Sequence, residues 1–546
     1  MYWPIVVNVA ACTDEPEIAR YLLSKGADPH APDEDGWAPI WSAARYGHAE
    51  VVRILAEAGA DVESVCGAPP QTPLHAACEF PEAIRALLEN GADINHAPGK
   101  NTPLAEAVER NQPEIVKMML RESKKKPDLS LHSNGQALVF AVSNSYVEAA
   151  SLLLEAGADV NFVSDSGILP LSYAMPNNDD APVRTLLEHR PDLEAVDAEG
   201  NTALHFIASQ TPVASVRLLI NAGANLSALN KKNLTPLMSA VLCGNHDVVE
   251  YMLTREGAMG SLNMPSFRSM RTPLHLACQT GTLEIVQSLV QGGSDVNFAC
   301  TGKWGSPLMA AAQGAKEFSN DRRRQIIELL LEKGADPTLS AGLLGYPIIS
   351  ASLTCSAELV KLLLDRGASA SVQDPFQRKP VHLACYNSQE VLDVLNVPDS
   401  DFAARDVVGR VPLHYAVLSG EVELLDEVLA RSERVGIGID VRDKDGWTPL
   451  LWAARASAVY RCRERHNRLY DSIISFLLAK GADTGIYASG ILKDWTALDV
   501  AYYHSADRYV RLLHPVALSL PPETRPLSKW RAELVANPMY DVASLG

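Results

Sequence analysis

Residues Arg271–Gly281 read RTPLHLACQTG, with His275 and Cys278 three positions apart. A histidine this close to a cysteine admits three readings: a nucleophile with its base, a pair of metal ligands, or two structural residues. Recurrence decides among them. The stretch returns as QTPLHAACEF from Gln71, NTALHFIASQ from Asn201, KPVHLACYN from Lys379 and VPLHYAVLSG from Val411. Weaker copies are APIWSAARYGH from Ala38, LTPLMSAVLCGN from Leu234, SPLMAAAQG from Ser306 and WTPLLWAAR from Trp447. A second apolar-periodic stretch ending in glycine follows each copy, as in VVRILAEAGADV from Val51 and LVKLLLDRGASA from Leu359.

The slot of the motif proline falls at 4, 39, 73, 103, 137, 170, 203, 236, 273, 307, 347, 380, 412, 449 and 497, which makes 15 copies. Thr-Pro starts a helix, because threonine caps the first exposed N–H groups and proline at the first helical position loses no hydrogen bond. The leucine and the alanine pair of the motif then face the neighbouring unit, where small side chains let helices approach. Apolar residues spaced three and four apart, such as Val51, Ile54 and Leu55, form the buried stripe of a second helix. Glycine ends that helix at little conformational cost. One such hairpin cannot cover its own apolar faces, so successive units must stack. His275 has peers at His75, His205, His382 and His414, and Cys278 has peers at Cys78 and Cys385. A residue that recurs across stacked layers serves the layer, and the His/Cys pair reads as structural.

Motif and period together resemble the ankyrin repeat, over residues 1–513. The resemblance implies an all-α solenoid of stacked helix-turn-helix units with short β-hairpin-like connections. It also implies a histidine bonded to turn backbone and a cysteine acting as a small buried hydrophobe. Loop insertions are expected near 121–135, 255–270, 314–325 and 455–471, and 514–546 reads as a tail, either a cap over the last repeat or a partner peptide. The first unit starts almost at Met1 without a visible polar capping repeat, which suits either capping by the first few residues or the regulatory half of a larger protein.

Composition narrows the function. A net charge of −18 argues against nucleic acid and anionic membrane as partners. No run of about 18 apolar residues is present, and MYWPIVVNVAACTDEPE lacks a basic leader. Nine cysteines without paired CxxC spacing read as reduced thiols, which places the chain in the cytoplasm or nucleus. Phosphate-cradling, HExxH, GxSxG and kinase motifs are missing, so no catalytic residue, cofactor or metal is assigned. Cys462 and His466 are too few for structural zinc.

The leading reading is therefore a non-enzymatic scaffold, monomeric by itself, that binds a protein or extended peptide on its concave face and hairpin tips. The candidates are residues the scaffold does not require. Trp37, Trp447 and Trp495 stand between the tip glycine and the threonine slot. Tyr173, Phe206, Tyr415 and Trp452 sit at or near the position after the motif histidine, where a concave face is expected, with Arg45, Tyr46 and Arg455 a turn further on. Aromatic anchors interleaved with arginine suit a peptide groove. Replacing Tyr415 and Trp452 is then expected to weaken binding and spare stability. The basic runs Lys124–Lys126, Arg322–Arg324 and Arg461–Arg468 read as solvated loops or a dock for an acidic segment. The alternative is an enzyme whose pocket is built from off-motif residues such as His246, His466 and His504.

Overall fold

The computed structural model describes residues 3–267, 270–314, 319–459, 464–488, 496, 497, 499 and 500, with 3–5, 256, 457–459 and 464–470 described by backbone alone. Trp495 and the tail 514–546 lie outside the described residues. Helices follow one another in antiparallel pairs, and among the described residues there is no strand, only the isolated bridges Cys66–Gln71 and Tyr487–Thr496.

The chain divides into two compact units, Met1–Ser261 and Leu262–Gly546. In the first unit the pairs run from Trp3–Cys12 with Pro16–Ser24 to Pro236–Leu242 with His246–Leu253. In the second they run from Pro273–Thr280 with Leu283–Gln291 to Pro449–Val459 with Glu464–Ala479. Within each unit, first helices pack on first helices and second on second, as Pro347–Thr354 does on Pro380–Asn387. The core is a column rather than a sphere: Leu274, Ala277, Val286 and Leu289 of one pair are fully buried, and the same slots repeat along the unit.

Local chemistry sets the boundaries. Pro39, Pro73, Pro103, Pro236, Pro273 and Pro307 each open a helix. Three of the preceding hydroxyls cap: Thr102 Oγ1 accepts from Ala105 N at 3.2 Å, Thr235 Oγ1 from Met238 N at 3.3 Å and Ser306 Oγ from Met309 N at 3.4 Å. The slot at 137 holds alanine, and there the helix begins five residues early, at His132. At the far end of the hairpin, Gly157 takes φ +98° just past the helix Val147–Glu155, a conformation that costs a Cβ-bearing residue more.

Two of the four expected loop insertions are largely helical. Residues 320–325 belong to the helix Asn320–Glu332, and 455–459 and 464–471 lengthen the helices of their pair. Neither stretch contains proline or glycine within these helices, and both are rich in helix-forming arginine. The insertion near 121–135 is irregular from 123 to 131, and 255–270 holds one short helix, Glu256–Met259. Among the described residues no helix is long and apolar enough to cross a membrane.

Candidate functional site

The turn between units is built on one side chain. Asp197 Oδ1 accepts from Glu199 N at 2.9 Å and Asn201 N at 2.8 Å, while its own N–H donates to Asn201 O at 3.1 Å. Asp33, Asn230, Asp374, Asp406 and Asp443 make the same closure in their repeats. Each turn is thus fixed by a short polar residue bonding its own backbone two and four residues on.

The motif histidine ties each turn to the next layer. Thr272 N–H donates to His275 Nδ1 at 3.3 Å, so that nitrogen is an acceptor, and the ring proton sits on Nε2. Nε2 in turn donates to Gly305 O at 3.2 Å, 30 residues on. His75 repeats the bridge to Asn101 O at 3.0 Å, His205 to Leu234 O at 2.9 Å, His382 to Ala404 O at 3.1 Å and His414 to Trp447 O at 3.1 Å. Burial pushes His275, His382 and His414 down to about 4, which keeps the rings neutral. Cys278 is buried and its thiol is pushed up by burial. The sulfur beside His275 Nε2, at 3.2 Å, belongs instead to Cys300, whose thiol burial raises to about 11. A neutral thiol beside a ring already committed to a carbonyl has no nucleophile to offer.

Three candidates of the second unit are not on an open face. Tyr415 is 1% exposed, Trp452 3% and Trp447 4%. The Tyr415 hydroxyl donates to Asp406 Oδ2 at 2.7 Å, and Trp452 Nε1 donates to Asp443 Oδ2 at 3.1 Å. Arg410 Nε also meets Asp406 Oδ2, at 2.7 Å, and its guanidinium lies 5.0 Å from the Tyr415 ring and 5.5 Å from that of Trp452. Arg455 lies 5.5 Å from Trp452 and 5.8 Å from Trp447. One repeat earlier, Arg378 pairs with Asp374 at 2.6 Å and covers Phe376 at 5.0 Å. Arginines and rings alternate in a buried column, so the expectation that Tyr415, Trp447, Trp452 and Arg455 line an exposed groove is corrected. Arginine lids and spent carboxylates enclose them. Burial raises the Asp406 carboxyl, but Arg410 and the Tyr415 hydroxyl outweigh it and hold the group below its usual range. Asp443, facing a neutral indole, is raised by burial.

The family model for ankyrin repeats matches residues 5–66, 64–130, 96–165, 171–264, 259–341 and 348–436. The chain belongs to the ankyrin repeat family. It is 26% identical to the ankyrin repeat domain-containing protein SAT10 of Stachybotrys chartarum over 97% of this chain and 27% of that protein. It is 24% identical to the transient receptor potential cation channel subfamily A member 1 of Homo sapiens over 74% of this chain and 39% of that protein. The chain therefore spans about a quarter to two-fifths of these relatives. It is also 33% identical to the B-cell lymphoma 3 protein homolog of Mus musculus, over 43% of this chain and 54% of that protein. Among solved structures, the ankyrin repeat domain of Bcl-3 covers 48% of this chain and 97% of that one at 23% identity, with a TM-score of 0.32.

The remaining candidates on these ankyrin repeats divide by exposure. Trp37 is half-buried: it stacks on Trp41 at 4.1 Å, and its ring lies 2.9 Å from where a Cβ on Gly67 would stand. Arg45 is exposed above Trp41, 5.5 Å away, beside exposed Tyr46. Tyr173 and Phe206 are half-buried, with the Tyr173 hydroxyl 2.6 Å from Ser166 Oγ. Sequence reasoning missed a further row, on the turns between repeats. Val163, Val196 and Leu229 are 57%, 53% and 43% exposed, and each immediately precedes the residue that closes its turn. Their signal is legible in VSDSG, VDAEG and LNKKN: an aliphatic residue where solvent would favour a polar one.

Four members of the first two basic runs are engaged locally, and Lys126 and Arg322 are exposed. Lys124 Nζ donates to Glu89 O at 2.6 Å, Lys125 pairs with Asp93, Arg323 is buried against Thr354 O and Gly314 O, and Arg324 pairs with Glu328. The side chains of Arg461–Arg468, Cys462 and His466 lie outside the described residues, as does His504. Among the described residues no group of three His, Cys, Asp or Glu side chains could hold a metal ion. A groove of about 410 Å³ in the second unit is open and polar, lined by Asn320, Cys355, Ser356, Glu358, Ser388 and Glu390.

Proposed function

We propose that this chain is a protein-interaction scaffold of the cytoplasm or nucleus whose first unit holds an extended segment of a protein partner along its hairpin turns. The observation that carries this reading is the row Val163, Val196 and Leu229, one exposed aliphatic side chain on each of three successive turns. Stacked layers stand about 10 Å apart, which is about three residues of an extended chain. In the polyproline II form of an extended chain every third residue returns to the same face, so a segment with an apolar side chain every third residue meets one aliphatic side chain per layer. The turns are rigid before the partner arrives: Lys231 N–H donates to Glu199 O at 2.9 Å and Asn230 Nδ2 to Asn201 Oδ1 at 2.7 Å, joining neighbouring turns. Rigidity of this kind lowers the ordering cost of binding.

A displayed library of extended peptides tests the reading. Selection on the wild-type chain, with counter-selection on the Val163→Asp, Val196→Asp, Leu229→Asp variant, is expected to enrich peptides with apolar residues three apart. Enrichment of peptides that bind both proteins equally would remove the aliphatic row from the interface.

A further inference from the structure

We propose that the turns carrying Arg405, Arg442 and Lys444 in the second unit form a dock for a short acidic segment of a protein partner. The three cations are exposed on adjacent turns, and no described carboxylate lies within ion-pair distance of any of them. Other cations of this unit have carboxylate partners, while exposed Arg322, Lys333, Lys361 and Arg366 stand on helices or at their ends and not together on adjacent turns. Arg324 pairs with Glu328, Lys379 with Asp401, Arg431 and Arg434 with Asp399, and Lys480 with Asp426. In a chain of net charge −18, three such cations on two adjacent turns make a local reversal of sign.

The neighbouring carboxylates are spent. Asp406 and Asp443 lie buried under the strip, committed to their own turns, to Arg410 and Tyr415, and to Trp452. Asp440 accepts from Asp483 N at 3.0 Å, and half-buried Asp445 has interactions of its own.

The strip is also held in shape. Arg405 Nη1 donates to Gly409 O at 2.6 Å and to Arg442 O at 2.9 Å, so the guanidinium lies across both turns. Both bonds use one nitrogen, which leaves the Nε–Nη2 edge, the side-on fork that matches a carboxylate. Lys444 N–H donates to Val408 O at 2.9 Å, its Nζ to Val407 O at 2.7 Å, and Val407 N–H to Phe376 O at 2.8 Å. Three successive turns are thereby stitched together over the buried arginine column. Val407, 38% exposed, and half-buried Phe376 add apolar surface between the charges.

The size of the ligand follows from screening. At physiological salt a charge is felt over about 8 Å. A short acidic segment therefore senses this strip alone, whereas a long polyanion also meets the negative remainder of the chain. That favours an acidic peptide over nucleic acid. The dock lies in a different unit from the aliphatic row and does not rest on it.

The probe is a fluorescein-labelled, glutamate-rich dodecapeptide, titrated against the full chain by fluorescence anisotropy at low salt. Binding is expected, at least tenfold weaker for Arg405→Glu, Arg442→Glu, Lys444→Glu, and weakened by added salt. The milder Arg442→Gln, Lys444→Gln variant keeps the Arg405 bonds and is expected to lose severalfold while melting as wild type. A peptide with glutamine for glutamate is expected not to bind. Binding unchanged by either variant, no binding at millimolar protein, or tighter and equally variant-sensitive binding of a DNA duplex would each overturn the proposal.

Discussion

Tyr415 donates a 2.7 Å hydrogen bond to Asp406 Oδ2, the carboxylate oxygen that also receives Arg410 Nε at 2.7 Å, and all three side chains are buried. This makes Tyr415 part of the turn's foundation. Tyr415→Phe strips one hydrogen bond from a buried charge and is expected to cost about 1–3 kcal/mol. Tyr415→Ala and Trp452→Ala also empty the column, at about 3–5 kcal/mol each. Urea unfolding followed by tryptophan fluorescence reads the loss, since Trp447 and Trp452 report on this region. Unchanged midpoints would mean that the column carries no stability.

Acid should loosen the layers through the same histidines that join them. In His275, His382 and His414 the folded value, about 4, is below the ordinary 6.5, so between these values the unfolded chain binds more protons. Stability contributed by the neutral rings is present above pH 6.5 and is lost as pH falls toward 4, up to roughly 3 kcal/mol per ring. His75 and His205 shift in the same direction, again through burial. The raised Asp443 carboxyl works the other way, since the folded state takes up its proton first. A urea midpoint that falls from pH 7 to pH 5, with a shallower fall in His275→Asn, is the expected pattern. A flat profile across that window would show that the rings are solvated.

Thiol reactivity separates structural from catalytic cysteine. Cys12 is exposed, whereas Cys78, Cys278 and Cys385 are buried and their thiols are pushed up by burial. With iodoacetamide at neutral pH, peptide mass spectrometry should find Cys12 alkylated long before Cys78, Cys278 or Cys385, which should label only on unfolding. Rapid labelling of Cys278 in the native protein would restore the reading of a reactive Cys/His pair.

The layer histidines are legible in sequence because each repeats a local bond to its own turn, and the period alone places the next carbonyl. The buried column is not, because its parts lie four and nine residues apart and meet only once the turn has closed. Tyr415 and Phe206 occupy the same motif slot, yet one is buried and the other half-exposed. The difference lies in the residue four after the turn aspartate. DVVGR puts Arg410 over the Tyr415 ring, whereas DAEGN puts Asn201 back on Asp197 Oδ2 at 2.9 Å and leaves Phe206 uncovered. Motif spacing cannot tell these apart until that arginine is read as a lid. Two of the insertions differ from expectation for the opposite reason: a break in the repeat period suggests a loop, but a stretch of helix formers simply lengthens the helix, as at Asn320–Glu332.

The exposed row offers the converse of the Tyr415 experiment. Val163, Val196 and Leu229 keep about half of their surface in water, so exchanging them for aspartate forfeits little buried area and strands no partner. Surface changes of this kind stay within about 0.5 kcal/mol each. The triple aspartate variant is therefore expected to unfold within about 1.5 kcal/mol of wild type by urea titration while losing every peptide selected on the wild-type row. Tyr173→Ala should fall between the two classes, because its ring is half-buried and its hydroxyl engages Ser166. If the triple variant unfolded as readily as Tyr415→Ala, the aliphatic row would be holding turns together rather than waiting for a partner.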